Sequence, residues 1–170
     1  MASSDFDLRA VFHAIEAKRR ARDLTWAAVA REVNRNRTFM RPIAASTITG
    51  LRTKVAGEGD GILQMLLWLG RTPESFVPGV PDAEAEHFRL AAVDPGQILR
   101  WNTRALHRAL NDERLARGLT WLQVADRIGG RTPNMLTRMA GGGRTGFPHV
   151  MRYVRWLGRP ATTFTRVAKW

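Results

Sequence analysis

The chain has 170 residues, no cysteine and a formal net charge of +12. This length predicts one or two small domains, and the lack of cysteine excludes a disulfide framework and a thiolate metal site. No stretch reaches the ~18 apolar residues of a membrane span, and the first ten residues lack the basic and hydrophobic regions of a signal peptide. We therefore expect a globular, cytoplasmic protein without a membrane partner.

Apolar residues at helical spacing predict an all-α protein with four or five helices in each half. In the first half, helices are predicted at residues 6–22, 25–33, 46–54 and 62–69, with a short final turn at 72–76. In the second half, they are predicted at residues 98–117, 120–128, 132–140 and 147–157, with a final turn that contains Phe164. The acidic, proline-rich residues between the halves predict a linker with one or two helical turns at 83–91.

Two phrases of the sequence occur twice. Leu24-Thr25-Trp26 recurs as Leu119-Thr120-Trp121 at an offset of 95, and Trp68-Leu69-Gly70-Arg71 recurs as Trp156-Leu157-Gly158-Arg159 at an offset of 88. The difference places seven extra residues in the first copy, between about Asn34 and Ser46. The sequence therefore predicts a duplicated domain, with one copy at 1–77, a linker at 78–97 and the second copy at 98–170.

The positive charge is concentrated in the second copy. Residues 98–170 hold 14 Lys/Arg against 3 Asp/Glu, whereas residues 1–76 hold 12 against 8. Arginine supplies 24 of the 27 basic side chains, and its planar guanidinium suits phosphates and guanine edges. This distribution favours a polyanionic partner over a uniform effect of codon usage.

The stretch from Leu119 to Arg144 has the pattern of two short helices joined by a tight turn. Thr120 and Gln123 form a capping box at the start of the first helix. Gly129-Gly130 ends that helix, and Thr132-Pro133 starts the next one. Gly141-Gly142-Gly143 then stops the second helix. A helix, a short turn and a second helix are typical of a helix-turn-helix DNA reader.

These features resemble the phage-repressor and Cro-like (XRE) helix-turn-helix family of bacteria and phages. The resemblance covers nearly all of both copies except the linker. The residues that carry it are Ala125, Gly129-Gly130-Arg131-Thr132, Leu136, Met139, Gly141 and Trp156-Leu157-Gly158. It implies two tandem five-helix, lambda-repressor-like domains whose third helix enters the major groove. The lengthened turn of the first copy departs from the family pattern.

In the second copy, Asn134 can pair with adenine, Arg138 with guanine, and Thr137 can meet a thymine methyl group. The start of the helix at Thr120 favours a phosphate, while Trp121 either touches the DNA backbone or packs against the preceding helix. Arg144 and the glycines before it either approach a phosphate or form a simple helix stop. The predicted DNA contacts of this copy are Thr120, Trp121, Gln123, Arg131, Thr132, Pro133, Asn134, Thr137, Arg138 and Arg144.

In the first copy, the exposed residues of the third helix are smaller and less charged, so we expect weaker base reading there. The basic insertion is either an arm that reaches DNA or a mobile surface loop. The predicted DNA contacts of this copy are Thr25, Arg37, Arg41, Ser46, Thr49, Gly50, Thr53 and Lys54.

The sequence gives little support for catalysis or for a cofactor. The four histidines are scattered without metal-ligand spacing, and no serine lies in a nucleophile elbow. We therefore expect a non-enzymatic, sequence-specific regulator of transcription that binds double-stranded DNA, with the second copy dominant and with homodimerisation allowed. Two alternatives stay open. One is an antitoxin-like or phage-defence adaptor that binds a protein partner through residues 1–77, and the other is an RNA-binding protein.

Overall fold

The computed structural model describes residues 6–36, 41–81 and 88–169 of the chain. Within these ranges it has eight α-helices. They are α1 (Leu8–Ala21), α2 (Trp26–Val33), α3 (Ala45–Thr49), α4 (Gly59–Leu69), α5 (Thr103–Ala116), α6 (Trp121–Ile128), α7 (Pro133–Thr137) and α8 (His149–Leu157). Short 3-10 turns lie at Gly50–Arg52, Pro73–Phe76, Arg138–Gly141 and Ala161–Phe164.

The all-α prediction is wrong. The structure is 58% helical, but it also contains two antiparallel two-stranded sheets. Strand β1 (Gly57–Glu58) pairs with β3 (Gly146–Phe147), and β2 (Gln97–Trp101) pairs with β4 (Thr165–Lys169). Most of β2 lies where the first helix of the second half was predicted, because a short apolar run fits a strand as well as a helix.

The predicted linker contributes little regular structure to the described part of the chain. Residues 82–87, which hold most of the predicted helical turns, lie outside the described residues, and Phe88 to Ala91 are not helical. The linker is fastened to the second copy by the Thr162 hydroxyl, which donates to the carbonyl of Arg89 at 3.3 Å.

The bounds of the helices match between the two halves at the offsets of the predicted repeat. α1 and α2 map onto α5 and α6 with a shift of 95 residues at both ends, and α3 maps onto α7 with a shift of 88. Asp7 and Asn102 cap the equivalent helices α1 and α5. Their backbone N–H groups donate to the carbonyls of Phe76 and Phe164, at 2.8 and 2.6 Å. The helices of the two halves therefore follow the spacing of the repeat that the sequence predicts.

The two copies are joined by a pair of equivalent strands. In the β1–β3 sheet, Glu58 lies directly opposite Gly146, and these residues occupy the same position of the repeat at an offset of 88. An antiparallel pair between equivalent segments has a local two-fold axis between its strands. The copies are therefore related by rotation about that axis, as in an isologous dimer, although they belong to one chain.

Strand β2 of the second copy is clamped by helix α4 of the first. The Asp60 carboxylate accepts from the backbone N–H of Trp101 and from Arg100 Nε, both at 2.9 Å. The Gln64 amide nitrogen donates to the carbonyl of Leu99 at 2.7 Å. These side chains satisfy backbone groups of β2 that β4 leaves unpaired, which a buried strand edge requires.

Aromatic residues cross between the copies and give them one continuous core. Phe6, which precedes α1, lies 4.4 Å from the ring centroid of Phe147 in the second copy. Trp101, which precedes α5, packs on Gly59 in the first copy. Phe147 and Gly59 are equivalent at the offset of 88. One of the two equivalent sites therefore carries a phenyl ring, and the other carries no side chain.

We predict that Gly59→Ala destabilises the protein. A Cβ atom at this position would lie 2.5 Å from the carbonyl oxygen of Thr145 and 2.8 Å from Trp101 Cδ1, so the inter-copy contact must shift. Overpacking of this kind costs about 1–3 kcal/mol, measured as the free energy of unfolding in urea. Gly141→Ala is the control, because nothing lies within 4 Å of its added Cβ. An equal effect of both substitutions would contradict the close packing of Gly59.

Candidate nucleic-acid interface

The helix-turn-helix of the second copy is built by its caps and glycines. The Thr120 hydroxyl accepts from the backbone N–H of Gln123 at 3.2 Å, and the Gln123 side chain accepts from the backbone N–H of Thr120 at 2.8 Å. Gly129 and Gly130 both have positive φ, at 82° and 63°, which glycine adopts without strain. The Thr132 hydroxyl then accepts from Met135 N at 3.4 Å and starts α7.

Helix α7 and the 3-10 turn after it present a short surface of polar residues and Met135. Leu136 and Met139 are buried and hold the segment against the core. Asn134 and Arg138 are exposed on the opposite face, and the half-buried Thr137 hydroxyl donates to the carbonyl of Asn134 at 3.3 Å. The side chains of Asn134 and Arg138 therefore reach solvent. Pro133 is half-buried at the first position of the helix.

The equivalent surface of the first copy is smaller. Ser46, Thr53 and Lys54 are exposed, whereas Thr49 and Gly50 are half-buried. The Thr49 and Thr53 hydroxyls donate to the carbonyls of Ser46 and Gly50, at 3.3 and 3.4 Å. Two hydroxyl protons of this surface therefore already have acceptors in their own helix or turn.

The seven-residue insertion of the first copy is closed at its base by one side chain. The Asn34 amide donates to the carbonyls of Ala30 and Ile43, at 2.7 and 2.8 Å, and accepts from the N–H of Ile43 at 2.8 Å. Ile43 is buried beyond the insertion, so α2 and α3 meet despite the extra residues. Arg41 is exposed next to this closure. The predicted contact Arg37 lies outside the described residues.

The two tryptophans at the starts of α2 and α6 pack against the preceding helices. Trp26 stacks on Phe12 at 5.8 Å, and Trp121 stacks on His107 at 5.3 Å. An arginine lies over the Trp121 ring, with the Arg114 guanidinium carbon 5.1 Å from the ring centroid. The packing interpretation of Trp121 is therefore favoured over backbone contact. Thr25 is exposed and caps α2, because its hydroxyl accepts from Ala28 N at 3.1 Å.

The side chain of Arg131 packs beneath the turn of the helix-turn-helix and does not lie on its exposed surface. It is half-buried, its Nη1 lies 3.9 Å from Met135 Sδ, and its Nε is buried without a hydrogen-bond partner among the described residues. Burial lowers its pKa, and the Tyr153 side chain opposes that shift. Arg131 therefore supports the turn from below, against α8.

The glycine stop after α7 is fastened to the start of α5. The Thr103 hydroxyl donates to the carbonyl of Gly143 at 2.8 Å, and Arg104 Nη2 donates to the carbonyl of Gly141 at 3.2 Å. Arg104 is exposed here. It is not among the contacts predicted from the sequence, because its partner Gly141 lies 37 residues away. The sequence feature that could have identified Arg104 is its alignment with Arg9 at the offset of 95.

Three predicted contacts from different copies line one cleft. Arg41 and Lys54 of the first copy and Arg144 of the second are exposed at its edge. They are thus brought together beside β1.

No family model, curated protein or solved structure matches the chain. The resemblance to the XRE family therefore stays a hypothesis based on the sequence motifs. No helix in the described part of the chain is long and apolar enough to cross a membrane. Within the same ranges, no group of three metal-ligating side chains is placed to hold a metal ion.

We predict that His149 makes stability depend on pH. Burial, together with Arg131 and Arg152 nearby, lowers the pKa of His149 to about 4, compared with ~6.5 in an unfolded chain. The unfolded state therefore binds a proton more readily, so stability is full above pH ~6.5 and is lost as the pH falls toward 4. His149 is only partly buried, so we discount the effect to about 1–2 kcal/mol.

The measurement is the free energy of unfolding of the wild type and of His149→Gln between pH 4 and 7. The variant should lose less stability over this window, whereas His13→Gln, at an exposed position of α1, should follow the wild type. Parallel curves for the wild type and His149→Gln would rule out a depressed pKa at this residue.

Proposed function

We propose that this chain is a cytoplasmic, sequence-specific binder of double-stranded DNA of the XRE type that regulates transcription. One chain carries two readers, the α3 segment and the α7 segment. The observation that supports this most directly is the pairing of Glu58 with Gly146. This pair gives one chain the rotational symmetry that helix-turn-helix proteins usually obtain from a dimer.

The rotation also favours one arrangement of the target. α3 and α7 each lead, through a short 3-10 turn and a few residues, into one strand of the β1–β3 sheet. The two reading segments are therefore exchanged by the same local two-fold axis. Duplex DNA has local two-fold axes of its own, so readers related in this way fit inverted half-sites and not direct repeats.

The two half-sites should differ in strength. Asn134 and Arg138 offer bidentate partners for adenine and guanine, whereas the first copy offers small hydroxyl groups and Lys54. Residues 98–170 also hold the larger excess of basic side chains, 14 against 3 acidic ones. The second copy should therefore contribute most of the affinity and most of the base discrimination.

We predict that selection from a random duplex library with the full chain enriches a pair of inverted, unequal half-sites. Native mass spectrometry of the complex should give one chain per selected duplex, because both readers belong to that chain. The absence of any enriched sequence would overturn the proposal. Enrichment of structured RNA over duplex DNA in a competition at fixed salt would favour the RNA alternative.

We further predict that Asn134→Ala and Arg138→Ala each relax discrimination at one base position by about 1–3 kcal/mol. The affinities of the full chain for the selected site and for single-base variants are the measurement. The full chain is needed because the copies share a sheet and a core.

Two control variants accompany this test. Ser46→Ala with Thr53→Ala should have a smaller effect, because these residues belong to the weaker reader. Arg108→Ala removes an exposed charge from α5 and should leave base discrimination unchanged. A larger loss from the first-copy variant than from Arg138→Ala would contradict the assignment of the second copy as dominant.

A further inference from the structure

A cleft of about 500 Å³ lies between α3, the start of α4 and strand β2. Its walls come from both copies, because Thr47 and Lys54 belong to the first and Ile98 and Arg144 to the second. Its volume falls within the ~300–1,000 Å³ of small-molecule pockets.

The floor of the cleft is apolar. It is lined by Ile43, Leu51, Ile62, Met65 and Ile98, all of which are buried. Ile43, Ile62 and Ile98 come from three different segments, which are the residues before α3, helix α4 and strand β2. The floor therefore exists only where the two copies meet.

The rim of the cleft carries positive charge without acidic partners. Arg41, Lys54 and Arg144 are exposed, and none of them forms an ion pair with another described residue. Arginine and lysine placed in this way attract carboxylate, phosphate or sulfonate groups.

Both carboxylates that line the cleft accept hydrogen bonds from other groups of the protein. Glu58 caps α4, where its oxygens accept from Asp60 N at 3.2 Å and Gly61 N at 2.7 Å. Asp60 accepts from Arg100 Nε and from the N–H of Trp101. Asp60 is therefore balanced by Arg100, whereas Glu58 keeps its charge, and the three rim cations outnumber Glu58 by two.

A buried amide also lines the cleft. Gln64 is 6% exposed, and its amide nitrogen donates to the carbonyls of Asp60 and Leu99, at 3.1 and 2.7 Å. These hydrogen bonds hold the side chain in place between α4 and β2.

We propose that this cleft binds a small anionic molecule with an apolar body. The anion lies between Arg41, Lys54 and Arg144, and the apolar part rests on the isoleucine floor. A DNA phosphate is the other anion that these cations could meet, but backbone contacts to DNA are made by polar groups on an open surface and need no apolar floor. The assignment goes beyond DNA binding and does not depend on it.

The test uses the full chain without DNA and anilinonaphthalene sulfonate, which joins an anionic group to an apolar ring system. The δ1-methyl resonances of the six isoleucines locate the bound probe. We expect shifts at Ile43, Ile62 and Ile98, which line the cleft, and not at Ile15, Ile48 and Ile128, which do not. Shifts confined to the second group would overturn the proposal.

A charge-removal variant tests the role of the rim. Arg41→Gln with Lys54→Gln and Arg144→Gln should weaken probe binding about tenfold, as the loss of three modest charge contacts predicts. The matched control, Arg9→Gln with Arg108→Gln and Arg159→Gln, removes three exposed charges outside the cleft and should bind as the wild type does. Equal weakening of both variants would show a non-specific charge effect and sink the proposal.

Two further ligands separate the components of the site. Neutral N-phenylnaphthylamine lacks the sulfonate and should bind more weakly than the anionic probe, and equal binding would contradict a role for the cations. If duplex DNA shifts the cleft methyl groups and the sulfonate does not, the cleft is a DNA-backbone contact and the small-molecule assignment is wrong.

Discussion

The arrangement of the two copies depends on how the backbone of β2 is satisfied. One edge of this strand pairs with β4, and on the other edge the N–H of Trp101 and the carbonyl of Leu99 meet the side chains of Asp60 and Gln64 on α4. Ile98, Leu99 and Trp101 are buried, so unpaired backbone groups there would cost about 1–3 kcal/mol each. Because the strand belongs to one copy and the helix to the other, satisfying β2 also fixes the copies relative to each other. The same contact places Ile98 in the wall of the cleft.

Within this frame the copies have diverged in charge without changing their helices. In the first copy Glu32 accepts from Arg22 and from Trp68 Nε1, and these hydrogen bonds lower the pKa of Glu32 to about 2. At the offset of 95 the second copy has Arg127 in its place, and Arg117 lies over Trp156 with its guanidinium carbon 4.8 Å from the ring centroid. Arg117 also pairs with Glu113 at 2.6 Å, so the equivalent of Arg22 keeps an acidic partner, but that partner lies on its own helix. The second copy gains net positive charge at a position that helix α6 tolerates.

The insertion in the first copy shows how a duplicated domain can lengthen its turn and keep its packing. Extra loop residues cost little free energy when the loop ends stay close. The Asn34 amide keeps them close, and Ile43 re-enters the core directly after the closure. The extra residues also bring Arg41 to the rim of the cleft. A change in one turn therefore alters the surface between the copies and leaves α2 and α3 in contact.

The sequence by itself determined the features that depend on neighbouring residues. The capping box of Thr120 and the helix stop at Gly129-Gly130 are local signals, and each helix was predicted to within a few residues except α5. The repeated phrases are also legible without a structure, at offsets of 95 and 88. Even the start of α5 was available, because Asn102 aligns with the helix cap Asp7 at the offset of 95. Only the tertiary structure decided that β2 is a strand, that Arg131 turns inward and that the copies are related by a two-fold axis. These features depend on partners far along the chain, such as β4, Tyr153 and β3. A short apolar run does not indicate which distant segment will form hydrogen bonds with its backbone.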